Sequence, residues 1–253
     1  MKFGNPRRAL EHTEIAIGIN KELAPGVHES EATLGNRARL LVQLGRFDEA
    51  SEQFESAAAR AAERGNFASQ AAIALGRADI ETALGQFDRA RAHLADAEAA
   101  LGNRSLPAGQ TIGARYLLAR ATLAAAEDKG EDAATMFAEA AVAYEKLGCC
   151  NGPRALAMAR RADVLAKDHH TNEALADAER ALELAKTAQS SEPFSAYTGS
   201  ALRAIGFAKE QAGERRQAGE AYALAATHFA STLGENNPQT LQAKEAASRL
   251  TRP

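Results

Sequence analysis

The chain has no tryptophan, only two cysteines, no basic excess and no apolar run near the roughly 18 residues that a bilayer span requires. Residues 1–12 carry Lys2, Arg7, Arg8 and Glu11 where a signal peptide needs an apolar core, so a cytoplasmic protein with no membrane role is expected. Cys149 and Cys150 are adjacent and cannot staple distant segments, and two reduced thiols are the expected state. A net charge of -3 and a pI near 6.1 argue against a phosphate-backbone ligand, so no nucleic acid is expected. No glycine-rich phosphate loop, dinucleotide fingerprint, zincin helix or nucleophile elbow is present. The many carboxylates fall at expected helix starts and exposed faces, without the paired, desolvated setting that acid-base chemistry needs. No catalytic residue, no enzyme and no cofactor are expected. Asp168, His169 and His170 are consecutive loop residues, too close together to close a tetrahedral site, so no metal is expected either.

What is present is a repeat. Leu44-Gly45-Arg46-Phe47-Asp48-Glu49-Ala50 returns forty residues later as Leu84-Gly85-Gln86-Phe87-Asp88-Arg89-Ala90. The closing alanine of this phrase is an anchor that recurs at Ala9, Ala50, Ala90, Ala133, Ala174 and Ala218, with spacings of 41, 40, 43, 41 and 44. Seven residues on lies a second small set: Ala16, Ala57, Ala97, Ala140, Ala181 and Ala225. Twelve residues before the last five anchors lies a third, formed by Ala38, Ala78, Ala121, Ala162 and Gly206. Three small positions held in one register predict a helix A, a tight turn and a helix B per unit, with the small residues where helices cross closely. Thr13, Phe54, Leu94, Phe137, Ala178 and Tyr222, four residues after the anchors, are the expected core on helix B. Leu34, Leu41, Leu117, Met158, Leu165 and Leu202 are their counterparts on helix A.

Gly45, Gly85 and Gly213 stand where a helix ending in a left-handed residue favours glycine, and Asp48, Glu49, Asp88, Glu131, Asp132 and Glu173 open the B helices against the helix dipole. Segments 24–30, 102–110, 148–153 and 189–193 link repeats. One turn departs from the pattern: Asp168-His169-His170-Thr171 replaces the glycine, and a looser hairpin is expected there. The first unit begins directly with a B helix. Leu10, Ile15, Ile17 and Ile19 should then lack their normal cover, and Met1 is expected to be an artificial boundary or an internal cut from a longer polypeptide. Pro238 starts a lone helix that reads as a closing cap.

The Leu-Gly-x-Phe-Asp-x-Ala phrase with its second alanine resembles the tetratricopeptide motif, from about Gly4 to Leu250. The period exceeds the family's usual length of about 34 residues, as in kinesin light chain-like arrays. Thr33-Leu34-Gly35-Asn36-Arg37-Ala38 and Leu233-Gly234-Glu235-Asn236-Asn237-Pro238-Gln239-Thr240 are similar to that subgroup's helix starts and inter-repeat loops. The resemblance implies an all-α fold, a right-handed α-α superhelix of about five helical hairpins, an orphan N-terminal helix and a C-terminal capping helix. It implies a single solenoid over 1–253, with the orphan helix at about 5–22, repeats at about 31–65, 67–102, 111–148, 153–188 and 194–233, and the cap at about 238–250. It further implies a protein-protein interaction module, a scaffold or sensor arm of a larger bacterial signalling protein such as a serine/threonine kinase. The alternative is a peptide-gated regulatory domain that controls an attached output domain.

In arrays of this kind the A helices line the groove that holds a peptide or helix. The residues projecting from them here include Asn36, Arg39, Asp79, Arg115, Thr122, Arg160, Asp163, Arg203, Phe207 and Glu210. Basic side chains outnumber acidic ones, which suits an acidic or carboxylate-bearing peptide. The lysine and asparagine clamp of chaperone-binding members is not recognisable. Just before the small residue of helix A, where the family prefers leucine, stand Arg37, Arg77, Arg120 and Arg161, followed by Ile205. These arginines either present bidentate donors to a partner or pack their stems between helices while the heads reach neighbouring acids. Homo-oligomerisation through the uncovered first helix is a further expectation.

Overall fold

The computed structural model describes residues 4–24, 26, 28–102, 111–189 and 192–251. Among these, 83% are helical and no strand occurs. Twelve helices follow one another: α1 (Pro6–Leu23), α2 (Glu31–Gln43), α3 (Phe47–Glu63), α4 (Phe67–Ala83), α5 (Phe87–Leu101), α6 (Thr111–Ala126), α7 (Gly130–Lys146), α8 (Asn151–Lys167), α9 (Thr171–Gln189), α10 (Ala196–Gln211), α11 (Arg215–Thr232) and α12 (Pro238–Thr251). They form five hairpins, α2/α3 through α10/α11, after an unpaired α1 and before a lone α12. The helices gather into two compact units, α1–α5 and α6–α12. Within each unit the substantial contacts join only helices that are adjacent or next-but-one in sequence.

Small residues make this packing feasible. The anchors Ala50, Ala90, Ala133, Ala174 and Ala218 are fully buried, as are Ala57, Ala97, Ala140, Ala181 and Ala225. In α1 the same two positions behave differently: Ala9 is half-buried and Ala16 exposed, because no helix among the described residues packs over them. Thr13, Phe54, Leu94, Phe137, Ala178 and Tyr222 are all buried. On the A helices Leu34, Leu41 and Leu165 are buried, whereas Leu117, Met158 and Leu202 are half-buried. Leu10 and Ile17 are covered too, so the bare side expected of α1 is narrower than its sequence suggests.

The hairpin turns share one closure. After α2 the Gly45 N–H donates to Val42 O and the Arg46 N–H to Leu41 O, at 3.0 and 2.9 Å, with Gly45 at φ 76°. The same pair of bonds ends α4 and α10 through Gly85 and Gly213. After α8 there is no glycine, yet His169 takes φ 63° and the His170 N–H donates to Leu165 O at 2.8 Å. That hairpin is therefore as tight as the others, contrary to the expectation of a looser turn. Asp128 fills the same role after α6 with φ 60°.

In the first unit the start of α2 is pinned from the next turn. The Ser30 hydroxyl accepts the Thr33 N–H, and the buried Glu31 carboxylate accepts from Asn66 Nδ2 at 3.0 Å and Arg64 Nη1 at 2.9 Å. Backbone hydrogen bonding, Asn66 and Arg64 together hold the Glu31 carboxyl below the usual carboxylate range. Asn66 also caps α4, its Oδ1 accepting the Ser69 N–H. In the second unit α12 closes the stack: Leu250 packs on Ala218 and Tyr222, while Glu210 accepts from Arg249 Nη1 at 2.6 Å and from the Tyr222 hydroxyl at 3.1 Å.

Candidate functional site

The arginine and groove residues divide into two sets by what they face. Arg37, Arg77, Arg120 and Arg161 lie thirteen residues before their anchors, and two of them, Arg37 and Arg161, reach across to their own helix B. Arg161 Nη1 donates to Asp177 Oδ2 on α9 at 2.7 Å, sixteen residues on. Arg37 Nη1 donates to Gln53 Oε1 on α3, also sixteen residues on, at 3.4 Å, and its Nη2 meets Glu14 of α1 at 3.2 Å. The equivalent partners of Arg77 and Arg120 are His93 and Met136, which cannot serve as anionic acceptors. Accordingly Arg77 makes no hydrogen bond or ion pair among the described residues. Arg120 instead lies over the Tyr116 ring of its own helix, 5.6 Å from the centroid. The four arginines are thus a repeat feature with two fates. Where helix B offers an acceptor the guanidinium bonds across the hairpin, and where it does not the head makes no bond to helix B.

The second set runs from one helix A to the next. In the first unit Arg39 Nη2 donates to Asn36 Oδ1 within α2 at 3.1 Å, and Asp79 is half-buried on α4. In the second unit Arg160 Nη1 of α8 donates to Thr122 Oγ1 of α6 at 3.0 Å. One repeat further on, Arg203 Nη2 of α10 is paired with Asp163 Oδ2 of α8. These side chains are only 29% and 21% exposed, and Asp163 Oδ1 is buried without a hydrogen-bond partner. Desolvation pushes the Asp163 carboxyl above the usual carboxylate range, opposed chiefly by Arg203 and then by Arg160. Arg115 is seven residues before Thr122, on the same side of α6, and makes no hydrogen bond or ion pair among the described residues. Phe207 is half-buried against the core of α8–α11 and beside the α12 contact. It is packing first.

The Asp177 partnership was missed from sequence, although a spacing of sixteen across the turn carries its signal. The Thr122–Arg160 and Asp163–Arg203 pairs need the spacing of about one repeat, which the anchors supply but side-chain reach alone decides. Cys149 and Cys150 are free, with Sγ atoms 2.9 Å apart. Partial burial and then the neighbouring thiol push Cys150 up to about 11, the opposite of the thiolate that a nucleophile or metal ligand requires.

No family model and no curated protein matches the chain. Solved structures do. The kinesin light chain-like protein BtubC (BKLC) from P. vanneervenii is 18% identical, with a TM-score of 0.60 over 90% of this chain and 92% of that one. The TPR2AB domain of yeast Sti1, in complex with pHSP90, aligns over 98% of this chain and 92% of that one at 18% identity, with a TM-score of 0.35. The fold is an all-α array of helical hairpins, the architecture shared with BtubC.

Proposed function

We propose that the chain is a protein-interaction module that holds an acidic peptide or helix against the A-helix face of its second unit, as an arm of a larger bacterial signalling protein in the cytoplasm. The observation that carries this reading is the row on α6, α8 and α10, where Arg160 and Arg203 act on Asp163 and Arg115 lies seven residues before Thr122 on the same side of α6, three basic side chains against the acids Asp163 and Glu210. Two of the three guanidinium groups are held across consecutive A helices, so they offer donors in fixed positions and lose little entropy on binding. The excess of positive charge on the row sets its preference against the overall net charge of -3. The bacterial signalling context is carried by the resemblance of the repeat phrase to such arrays. The non-enzymatic reading is carried by the half-buried arginine row, which offers hydrogen-bond donors and no proton acceptor set beside a nucleophile.

The test is a peptide array probed with the labelled chain. Asp/Glu-rich peptides are expected to retain it and Lys/Arg-rich peptides to be blank. Arg115→Ala with Arg160→Ala should weaken the best peptide by about tenfold or more, without lowering Tm by more than a few degrees. Equal retention of both peptide classes, or unchanged affinity in the double variant, would overturn the proposal.

A further inference from the structure

The outer side of α1 carries residues that the repeat does not call for. Six residues beyond the anchor, the B helices α3, α5, α7, α9 and α11 have Ser56, Asp96, Glu139, Arg180 and Leu224, four of them polar. In α1 that position is Ile15, and Ile19 follows one turn later. They are 59% and 50% exposed, and Leu23, another turn on, is 79% exposed. Leu10, Thr13 and Ile17, on the opposite side of the same helix, are buried. Burial of α1 on its own chain therefore leaves this stripe unused. The stripe is a different set of positions from the anchor and the residue seven on, which are buried in the other B helices and are Ala9 and Ala16 in α1.

The stripe specifies its own complement. His12, Ile15, Ile19 and Glu22 follow one another at intervals of three, four and three, the a/d spacing of a two-helix seam, and all four are exposed. Laid antiparallel on a second copy about a two-fold axis between residues 15 and 19, each Ile15 meets the other copy's Ile19. Each His12 then meets the other copy's Glu22, as donor to carboxylate. A parallel seam would set Glu22 on Glu22, a like-charge contact that costs energy. Charge therefore selects both the occupant, a second copy of this chain, and the direction.

We infer that α1 pairs antiparallel with α1 of a second copy, forming an isologous homodimer through Ile15 and Ile19 with a His12–Glu22 contact at each end. The seam has two isoleucine layers on a helix about 27 Å long, which places it among weak, concentration-driven associations.

Sedimentation of the full chain from about 1 µM to about 1 mM tests it. The weight-average mass is expected to climb from 26.7 kDa towards twice that value. Ile15→Lys with Ile19→Lys should hold the chain at the monomer mass, with unchanged far-ultraviolet circular dichroism. His12→Glu alone should weaken association, and adding Glu22→Lys should restore it, because only the antiparallel seam puts residue 12 opposite residue 22. A mass fixed at 26.7 kDa at every concentration overturns the inference. So does association that survives the isoleucine double variant, or a charge-swapped variant no better than His12→Glu.

Discussion

A glycine in a helix interior usually weakens the helix, yet Gly76 sits in the middle of α4 for a reason of space. A β-carbon there would lie 2.1 Å from Cζ of Phe54, whose ring packs directly on the α4 backbone. Gly76→Ala should destabilise the chain by about 1–3 kcal/mol in urea unfolding. Phe54→Leu in the same chain should recover part of that, making the pair less than additive. Phe54 is recognisable from sequence as a core residue because it sits four after an anchor. Gly76 is not, since its position is Asn36, Ala119, Arg160 and Ala204 in the other repeats and nothing in one sequence tells which neighbour will press on it. The turn after α8 gives the opposite lesson. No glycine announces it, but His169 accepts the left-handed conformation because two closing hydrogen bonds and the repeat's geometry leave no other. That conformation carries a residual cost, so His169→Gly should stabilise the chain by about 0.5–1 kcal/mol, read as a raised urea midpoint at unchanged m.

Between elements, the start of α10 is tied to α11 by an imidazole. The buried Ser195 donates its backbone N–H to Nδ1 of His228 on α11 at 3.1 Å, while Phe194 meets the same ring edge-on at 5.6 Å. An Nδ1 that accepts leaves the proton on Nε2 and requires the neutral ring. Burial accordingly lowers the His228 pKa. A depressed folded value means that the stabilisation is complete above the ordinary histidine range and is lost as pH falls through the folded value. Thermal unfolding followed from pH 8 downwards should therefore show a drop that His228→Asn flattens; parallel curves for the two chains would exclude this role. Here the sequence was legible only in part. Segment 189–193 reads as a linker from its composition, but a hydrogen bond to a residue 33 positions away leaves no local trace. The arginine positions divide in the same way: their recurrence is visible along the chain, whereas their two fates depend on whether Gln53 and Asp177 or His93 and Met136 face them from the next helix.

At the scale of the whole molecule, the register of small residues fixes five hairpins, and contacts confined to sequence neighbours determine how the chain must respond to damage. In such an array stability is close to a sum of local terms and interfaces with the nearest repeats. The buried set is uneven: α8, α10 and α11 each bury eight residues, α1 four, and α5 and α12 only three. Native-state hydrogen exchange should follow that gradient, slowest in α8, α10 and α11 and fastest in α1, α5 and α12. Locality can be tested with two large, fully buried rings in different units, Phe54 on α3 and Phe229 on α11. Each truncation to alanine should cost about 3–5 kcal/mol at its own site. Phe54→Ala should accelerate exchange in α2–α4 while leaving α8–α11 near its original rate, and Phe229→Ala should do the reverse. If either variant speeds exchange equally along all twelve helices, the chain unfolds as one cooperative body, and the nearest-neighbour account of its stability is wrong.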